Sequence, residues 1–307
     1  MRVVITGGAG FIGHNIALSL SEKGYDVVVI DTLERSSSFA LQRLSEKGIP
    51  LIKGDVRDRA LLKSQLSRGD IVIHAAAYIS VEESTAKPEI YFENNVMGTL
   101  AVARACLESG AGMIYISSAS VYGEPIQLPI NEGHPTKPIS PYGLTKLFGE
   151  EILELYRREG LDYTILRLFN VYGPGQSGAY AGVIIKFIDN ALNGQSIVIY
   201  GDGSQTRDFV QVKDVAQAVE LAIAREAFGE KLNIGSGKPT TINELAELVR
   251  RLACGSCKVE YRPPRPGDIK HSYADISKAK KLIGYNPKIS LEEGIREIVA
   301  LKKSLKL

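Results

Sequence analysis

The chain has 307 residues, with 37 Lys and Arg against 35 Asp and Glu, and 44% of its residues are hydrophobic. This composition is typical of a globular protein with room for two lobes around a cleft, and it excludes a disordered or fibrous chain. A net charge of +2 offers no basic surplus for nucleic-acid phosphates, so we expect no nucleic-acid partner. No apolar run approaches the roughly 20 residues that cross a bilayer, and no signal-peptide pattern precedes the first strand. We therefore expect a cytoplasmic protein with no membrane partner.

Over the first 170 residues, short β-branched runs alternate with helical segments, as in β-α-β units. The predicted strands span residues 2–6, 26–31, 50–53, 71–75, 113–117 and 162–167. The predicted helices span residues 11–23, 60–65, 93–108 and 142–159. This order predicts an α/β fold with a doubly wound parallel (Rossmann) sheet, whose ligand lies beyond the carboxyl ends of the strands.

The alternation breaks after Gly173-Pro174-Gly175, where turn-rich segments begin. Such composition suits a smaller α/β lobe that lines a cleft. We predict a Rossmann domain over residues 1–173 and a substrate lobe over residues 174–307. A predicted helix near residues 214–225 suggests that the stretch 207–235 packs back on the first domain.

A glycine-rich turn joins the first strand to the first helix, with glycines at Gly7, Gly8, Gly10 and Gly13. Glycines at this spacing permit a tight turn and close approach to a pyrophosphate, which the helix N-terminus attracts. The alternative is a tight loop that binds nothing. Asp31 ends the second strand, where a carboxylate accepts hydrogen bonds from an adenosine ribose, which favours a dinucleotide ligand.

The same carboxylate would repel the 2′-phosphate of NADP, so Asp31 favours NAD as the cofactor. Arg35 lies four residues further and keeps NADP open as an alternative. Asp55 and Val56 follow the third strand, where an adenine ring would dock. For Asp55 the alternative is a helix N-cap.

Tyr142 and Lys146 are one helical turn apart, so the phenol and the ammonium lie on one face. A neighbouring cation would lower the pKa of the tyrosine and let it exchange a proton with a substrate hydroxyl. The alternative for this spacing is a solvated helix face. Hydroxyl-bearing residues, including Ser118, also follow the strand at 113–117.

These motifs stand in the order Thr6-Gly7-Gly8-Ala9-Gly10-Phe11-Ile12-Gly13, Val121-Tyr122-Gly123, Tyr142-x-x-x-Lys146 and Arg167-Leu168-Phe169-Asn170-Val171-Tyr172-Gly173. In this order the chain resembles the extended short-chain dehydrogenase/reductases over nearly its whole length. The most similar members are the UDP-glucose (UDP-galactose) 4-epimerases. The resemblance implies a UDP-hexose substrate, bound NAD, and transient oxidation at C4 of the hexose.

The resemblance also implies roles for individual residues. Tyr142 is implied as the catalytic base, Lys146 as its electrostatic partner, and Ser118 as the hydroxyl between Tyr142 and the sugar. Further implied cofactor contacts are Phe11, Ile12, Ala75, Ala76, Ala77, Asn94 and Phe169, with a helix cap as the alternative for Asn94. Implied substrate contacts are Asn170, Arg207 and Arg265 at the diphosphate, Asp268 at the ribose and Tyr200 at the uracil, with a surface salt bridge as the alternative for either arginine.

Two departures bear on the reaction. Sibling dehydratases carry an Asp-Glu pair after the catalytic hydroxyl, where this chain has Ala119-Ser120, so dehydration is not expected. The tyrosine that closes the sugar pocket in narrow epimerases aligns with Ser272, which predicts that N-acetylhexosamines are also accepted. Another nucleotide-sugar epimerase, decarboxylase or dehydratase of the family remains as the alternative, followed by a non-catalytic nucleotide- or RNA-binding member.

Family members pair two helices from each subunit, and exposed Leu147, Phe148 and Leu155 predict a homodimer through such a four-helix bundle. Cys254 and Cys257 could bind metal, act in redox chemistry or form a local disulfide. No second pair of zinc ligands accompanies them, so we expect a structural connector and no metal site. Cys106 is expected in the core.

Overall fold

A parallel sheet of seven strands carries the fold in the computed structural model, which describes residues 1–176, 182–265 and 267–304. The strands are β1 (Arg2–Thr6), β2 (Asp26–Asp31), β3 (Leu51–Lys53), β4 (Ile71–His74), β5 (Gly112–Ser118), β6 (Tyr163–Leu168), β7 (Asn170–Tyr172), β8 (Ile197–Tyr200), β9 (Thr206–Gln211), β10 (Glu230–Ile234), β11 (Pro239–Thr241) and β12 (Val259–Arg262). The central sheet has the order β10-β6-β5-β4-β1-β2-β3. The predicted doubly wound parallel sheet is confirmed.

The helices are α1 (Phe11–Glu22), α2 (Ser38–Glu46), α3 (Arg59–Gln65), α4 (Val81–Ala86), α5 (Pro88–Tyr91), α6 (Gly98–Ser109), α7 (Pro141–Arg157), α8 (Val183–Leu192), α9 (Val212–Ala224), α10 (Ile242–Ala253), α11 (Ser277–Ile283) and α12 (Leu291–Ser304). A π-helical turn, Phe92–Met97, links α5 to α6. The helix expected to start at residue 93 is therefore one part of a longer helical run. No helix in the described part of the chain is long and apolar enough to span a bilayer.

The alternation of side chains along β1 divides the core between the two faces of the sheet. Val3 and Ile5 pack with α1 and α9 in one cluster, whereas Val4 packs with α6 and α7 in the other. Both faces are covered by helices, which explains why the central strands are apolar almost throughout. A third cluster joins α8, α10 and α12 in the second lobe.

The chain returns to the central sheet after it has entered the second lobe. Strand β10 pairs in parallel with β6, and α9 packs beside α1. A smaller sheet has the order β11-β9-β7, while β8 pairs in parallel with β12. Because β7 directly follows β6, this smaller sheet begins at the carboxyl edge of the central sheet.

Candidate functional site

The glycine turn forms a cradle between β1 and α1. Gly10 caps α1 without any side-chain hydrogen bond to the first turn, which leaves N–H groups available for an anion. A side chain at Gly7, whose φ is +67°, would collide with the backbone of Ala76, and one at Gly13 would collide with Gly7 and Gly8. The turn is thus packed too closely for any residue other than glycine at these two positions.

A cavity of about 200 Å³ opens along this cradle, at the point where the chain order of the sheet reverses between β1 and β4. The predicted cofactor residues that line it are Gly7, Gly10, Phe11, Ile12, Gly13, Asp31, Asp55, Val56, Ala75, Ala76, Ala77 and Asn94. A crevice at such a switch point is where doubly wound folds bind dinucleotides. The narrow glycine cradle, the uncapped helix and the acid of β2 together fit the groups of such a ligand.

Backbone groups hold Asp31 at the end of β2. Its carboxylate accepts hydrogen bonds from the N–H groups of Ala9, at 3.0 Å, and Leu33, at 2.8 Å. Burial raises the pKa of Asp31, while these two hydrogen bonds act against the rise. The glycine turn itself therefore fixes the acid that was predicted to bind the ribose.

The structure separates two of the alternatives left open by the sequence. Asp58, and not Asp55, caps α3, because its side chain accepts hydrogen bonds from the N–H groups of Ala60 and Leu61. Asp55 instead forms an ion pair with Arg57 at 2.6 Å beside the cavity. Asn94 lies inside the π-helical turn and caps no helix start. Both residues remain predicted cofactor contacts.

Helix α7 carries the tyrosine and the lysine to the carboxyl end of β5. The side chain of Ser140 caps the helix through the N–H of Gly143 at 3.1 Å, and Pro141 occupies the first turn. Further along, Glu150 is buried against Arg167 of β6 at 2.6 Å and accepts a hydrogen bond from Ser117 at 2.6 Å. This buried pair fixes α7 on the sheet and so sets the position of Tyr142 and Lys146.

Ser118, Tyr142 and Lys146 line a common cavity of about 280 Å³. Burial raises the pKa of Tyr142, and the neighbouring Ser118 hydroxyl acts against that rise. The Ser118 hydroxyl itself accepts a hydrogen bond from the Ser120 hydroxyl at 2.9 Å. The Lys146 ammonium donates to the carbonyl of Ile116 at 2.8 Å. The predicted residues Phe11, Ile12, Ala75, Ala77, Phe169 and Asn170 line the same cavity.

The expected effect of Lys146 on Tyr142 is wrong for this arrangement. Burial lowers the pKa of Lys146 to about 7, with Glu150 acting against that shift, so the amine is only partly charged near neutral pH. Burial also raises the pKa of Tyr142, where a lysine-induced fall was expected. Both shifts have the same physical reason, since a dry site disfavours the charged form of either group.

The largest of these cavities, about 890 Å³, lies in the second lobe and reaches Asn170 at the edge of the catalytic cavity. Tyr200, Arg207, Arg265 and Asp268 also line it, as predicted for substrate residues. Arg207 pairs with Asp268 at 2.6 Å, and the Arg265 guanidinium lies 3.9 Å from the centre of the Tyr200 ring. The two arginines therefore already have partners within the site.

Lys186 and Arg262 line this cavity as well, although the sequence did not single them out. Arg262 stands three residues before Arg265, and this closeness to a predicted substrate residue could have identified it from the sequence. Lys186 on α8 has no motif around it that could have done so. Ser272 lies outside the described lining of the catalytic and substrate cavities. Its backbone N–H donates to the carbonyl of Thr206 at 3.2 Å, next to Arg207, and its proposed part in sugar selection stays a prediction.

Cys254 and Cys257 are joined in a disulfide between α10 and β12, while Cys106 is a buried thiol. The disulfide agrees with the expected structural connector. Disulfides are rare in reducing compartments outside heat-tolerant organisms, so the expected cytoplasmic location stays a prediction.

Comparison with known proteins agrees with this geometry. The NAD dependent epimerase/dehydratase family matches residues 3–235. A Methanocaldococcus jannaschii protein with the provisional name UDP-glucose 4-epimerase is 41% identical, over 98% of both chains. The crystal structure of Thermotoga maritima UDP-glucose 4-epimerase with UDP-glucose has a TM-score of 0.93 and 37% identity, covering 99% of this chain and 100% of the other.

A second solved structure is UDP-N-acetylglucosamine 4-epimerase from Methanobrevibacter ruminantium M1 in complex with UDP-N-acetylmuramic acid. It has a TM-score of 0.93 and 40% identity, covering 99% of this chain and 98% of the other. The family match extends over the glycine cradle, Asp31, Tyr142 and Lys146, and it ends just after β10, the last strand of the central sheet along the chain. The chain therefore belongs to the NAD dependent epimerase/dehydratase family.

Proposed function

We propose that the chain is a UDP-hexose 4-epimerase that interconverts UDP-glucose and UDP-galactose. The observation that carries this proposal is that three neighbouring cavities share lining residues. Phe11 and Ile12 line both the cofactor cavity and the catalytic cavity, and Asn170 lines both the catalytic cavity and the second-lobe cavity. A hexose held by its diphosphate in the second lobe would thus present its ring to Ser118 and Tyr142, beside the cofactor.

Bound NAD supplies a hydride acceptor that also returns the hydride, and its oxidised ring carries a positive charge. Tyr142 would accept the proton of the hexose 4-hydroxyl as C4 is oxidised to a ketone, and would give the proton back when the ketone is reduced from the opposite face. Proton and hydride would then balance in each cycle. Ser118, which lines the same cavity, would orient the sugar hydroxyl toward Tyr142.

Dehydration lacks an acid in this arrangement. The 3₁₀ turn after Ser118 holds Ala119 and Ser120, where sibling dehydratases carry an Asp-Glu pair. Among the described residues that line the catalytic cavity, none is a carboxylate. Without a group to protonate a leaving 6-hydroxyl, the keto sugar can only be reduced again.

Interconversion of purified UDP-glucose and UDP-galactose, without added cofactor, tests the proposal. We expect epimer formation at a rate proportional to the NAD that is released when the purified protein is unfolded. Mass spectrometry of the same reaction should show no loss of water from the hexose. A dehydrated product, or NAD-loaded protein that converts neither sugar, would contradict the proposal and favour a sibling reaction or a binding role.

We also propose that UDP-N-acetylglucosamine is a substrate. A serine at position 272 occupies less space than the tyrosine of narrow epimerases, and the Methanobrevibacter neighbour is itself a UDP-N-acetylglucosamine 4-epimerase. Ser272→Tyr should abolish turnover of the N-acetylated sugar and leave UDP-glucose turnover within about threefold, since one bulky side chain discriminates mainly by exclusion. Failure of the unaltered protein to epimerise UDP-N-acetylglucosamine would refute this assignment.

We further propose a homodimer through α6 and α7. Phe148 and Leu155 on α7 are 41% and 58% exposed, and Met97 is exposed just before α6. Leu147, which was expected to be exposed, is half-buried and packs against the core. An apolar surface of this kind on adjacent helices marks an interface. Leu155→Glu should convert the dimer to a monomer, as measured by light scattering, while Leu282→Glu on α11 should leave the dimer intact. A monomeric mass for the unaltered protein would refute the dimer.

A further inference from the structure

A charged cluster of Arg35, Tyr78, Glu83 and Tyr91 lies beside the ribose end of the cofactor cavity. The two terminal nitrogens of Arg35 donate to the two carboxylate oxygens of Glu83, at 2.8 Å and 3.0 Å. The same guanidinium lies 3.5 Å from the centre of the Tyr78 ring. The Tyr91 hydroxyl donates to Glu83 at 2.8 Å, so the carboxylate is held from two sides.

The position of Arg35 gives this cluster its significance. Arg35 and Tyr78 line the cofactor cavity together with Asp31, Ser36 and Ser37. An arginine just beyond the second strand is the residue that accommodates the 2′-phosphate of NADP in dinucleotide-binding folds. The arginine that could bind the 2′-phosphate of NADP is thus present, but the terminal nitrogens of Arg35 donate to Glu83.

Charge at this end of the cavity is acidic overall. Asp31, Glu83 and Glu34 contribute three negative charges against the positive charge of Arg35, and the Tyr78 hydroxyl donates to Glu34. Arg57, which also lies near Tyr78, is paired with Asp55. A bidentate pair between arginine and carboxylate is among the strongest of protein hydrogen-bonded contacts. Glu83 takes one donor from each terminal nitrogen of Arg35 and neutralises its charge, so a 2′-phosphate would compete with Glu83 for the guanidinium.

We propose that Glu83 is a cofactor-specificity residue, which withholds Arg35 from the 2′-phosphate and so acts with Asp31 to keep the site selective for NAD over NADP. Asp31 opposes the phosphate by direct repulsion, whereas Glu83, from helix α4, acts by occupying the guanidinium. The two residues should therefore act cooperatively. This inference rests on the NAD dependence of the family and not on the proposed hexose reaction.

Competition for the cofactor site tests the proposal without measuring turnover. Purified protein is equilibrated with equal concentrations of NAD and NADP, freed of unbound nucleotide and unfolded, and the two released nucleotides are quantified. In the Asp31→Asn background, Glu83→Gln should raise the ratio of bound NADP to bound NAD about tenfold, the gain typical of one released charge-assisted contact. With Asp31 in place the same substitution should raise the ratio less, because the carboxylate still repels the phosphate.

Glu82→Gln is the matched control, because this neighbouring glutamate is exposed on the same helix and has no place in the cluster. It should leave the ratio unchanged in either background. Adding Arg35→Ala to the Glu83→Gln protein should remove the gain. If Glu83→Gln does not fold, Glu83→Asp, which is too short to keep both hydrogen bonds, should give a smaller gain. An unchanged ratio, or a gain that persists without Arg35, would overturn the proposal.

Discussion

The two halves of the site are built on different principles. In the cofactor half, Asp31 is held by two backbone N–H groups, that of Ala9 in the glycine turn and that of Leu33 in the loop after β2. The glycine turn has no room for side chains at Gly7 and Gly13. In the substrate half, Arg207 holds Asp268 and Arg265 covers the Tyr200 ring. One half is fixed by the main chain, and the other is assembled from side chains that are one another's partners.

This difference indicates how each half meets its ligand. The glycine turn of the cofactor half is already formed, whereas the predicted roles of Arg207 and Asp268 require each side chain to exchange the other for the diphosphate or the ribose. The Asp268 side chain is 42% exposed and that of Arg207 is 15% exposed, so water screens the ion pair in part. A partly screened pair is worth about 1 kcal/mol, and the exchange costs little. The pair keeps the arginine oriented without blocking the substrate.

The largest expected effect on turnover comes from the catalytic cavity, which lies between the cofactor half and the substrate half. Tyr142→Phe removes the proton-exchanging hydroxyl, so epimerase turnover should fall by about 10²–10⁴-fold. The amount of NAD released per mole of unfolded protein should not change, because the backbone cradle does not depend on this hydroxyl. Tyr156→Phe, on the same helix, is the control and should retain full turnover. Unchanged turnover in Tyr142→Phe would support a binding role instead.

A smaller effect is expected from the side chains of the substrate half. Arg207→Ala should raise the KM for UDP-glucose about 10- to 100-fold, since hydrogen bonds to charged groups are worth about 1.5–3 kcal/mol. Bound NAD should stay at the level of the unaltered protein. Arg251→Ala is the matched control, because Arg251 is exposed on α10 in the same lobe and pairs with Glu292. A parallel loss of NAD would show that the halves are not separate.

The cofactor half should respond to changes in its backbone packing. Gly13→Ala places a methyl group against the backbone of Gly7 and Gly8, while the methyl group of Gly10→Ala meets only the Gly7 carbonyl, at a longer distance. We expect Gly13→Ala to reduce retained NAD at least about tenfold, because the overlap lies with backbone that cannot shift cheaply. Gly10→Ala should lose less NAD. The opposite order would refute the packing argument for the cradle.

The last effect concerns the free energy of unfolding and not ligand binding, and it distinguishes a buried charge from the exposed ones. The folded pKa of Lys146, about 7, lies below its value of 10.5 in the unfolded chain, so folding releases a proton between these pH values. This cost is full below pH 7 and declines as the pH rises toward 10.5. Lys146→Met should therefore stabilise the fold by a few kcal/mol at or below pH 7, since one pKa unit is about 1.4 kcal/mol.

Thermal unfolding of Lys146→Met and the unaltered protein from pH 6 to pH 10 measures this difference. The gap in melting temperature should narrow as the pH rises. Arg207→Ala provides the comparison, and its difference from the unaltered protein should stay level across the range. A gap that widens with pH would contradict the direction of the Lys146 shift.

The sequence-based predictions were accurate where the interacting residues are close in the sequence and failed where they are far apart. The strand, glycine turn and helix of the cradle were predicted almost to the residue, because one short stretch contains all of its steric requirements. The partners of Arg35 and Arg207 were not predicted, because Glu83 and Asp268 lie 48 and 61 residues away from them. The direction of the Tyr142 pKa was also wrong, since helix spacing placed Lys146 correctly but gave no information about burial.

The sequence by itself determined the fold class and predicted the dinucleotide cradle, because both depend on spacing within one strand, turn or helix. The predicted catalytic roles of Tyr142, Lys146 and Ser118 came from the family resemblance. Only the tertiary structure decided that the three cavities adjoin and share lining residues, and that Asp58 caps α3 while Asp55 lines the cofactor cavity. It also decided that the arginines of both halves already have carboxylate or aromatic partners. These features depend on contacts between segments far apart in the chain and on exclusion of water, and no local pattern of residues encodes either.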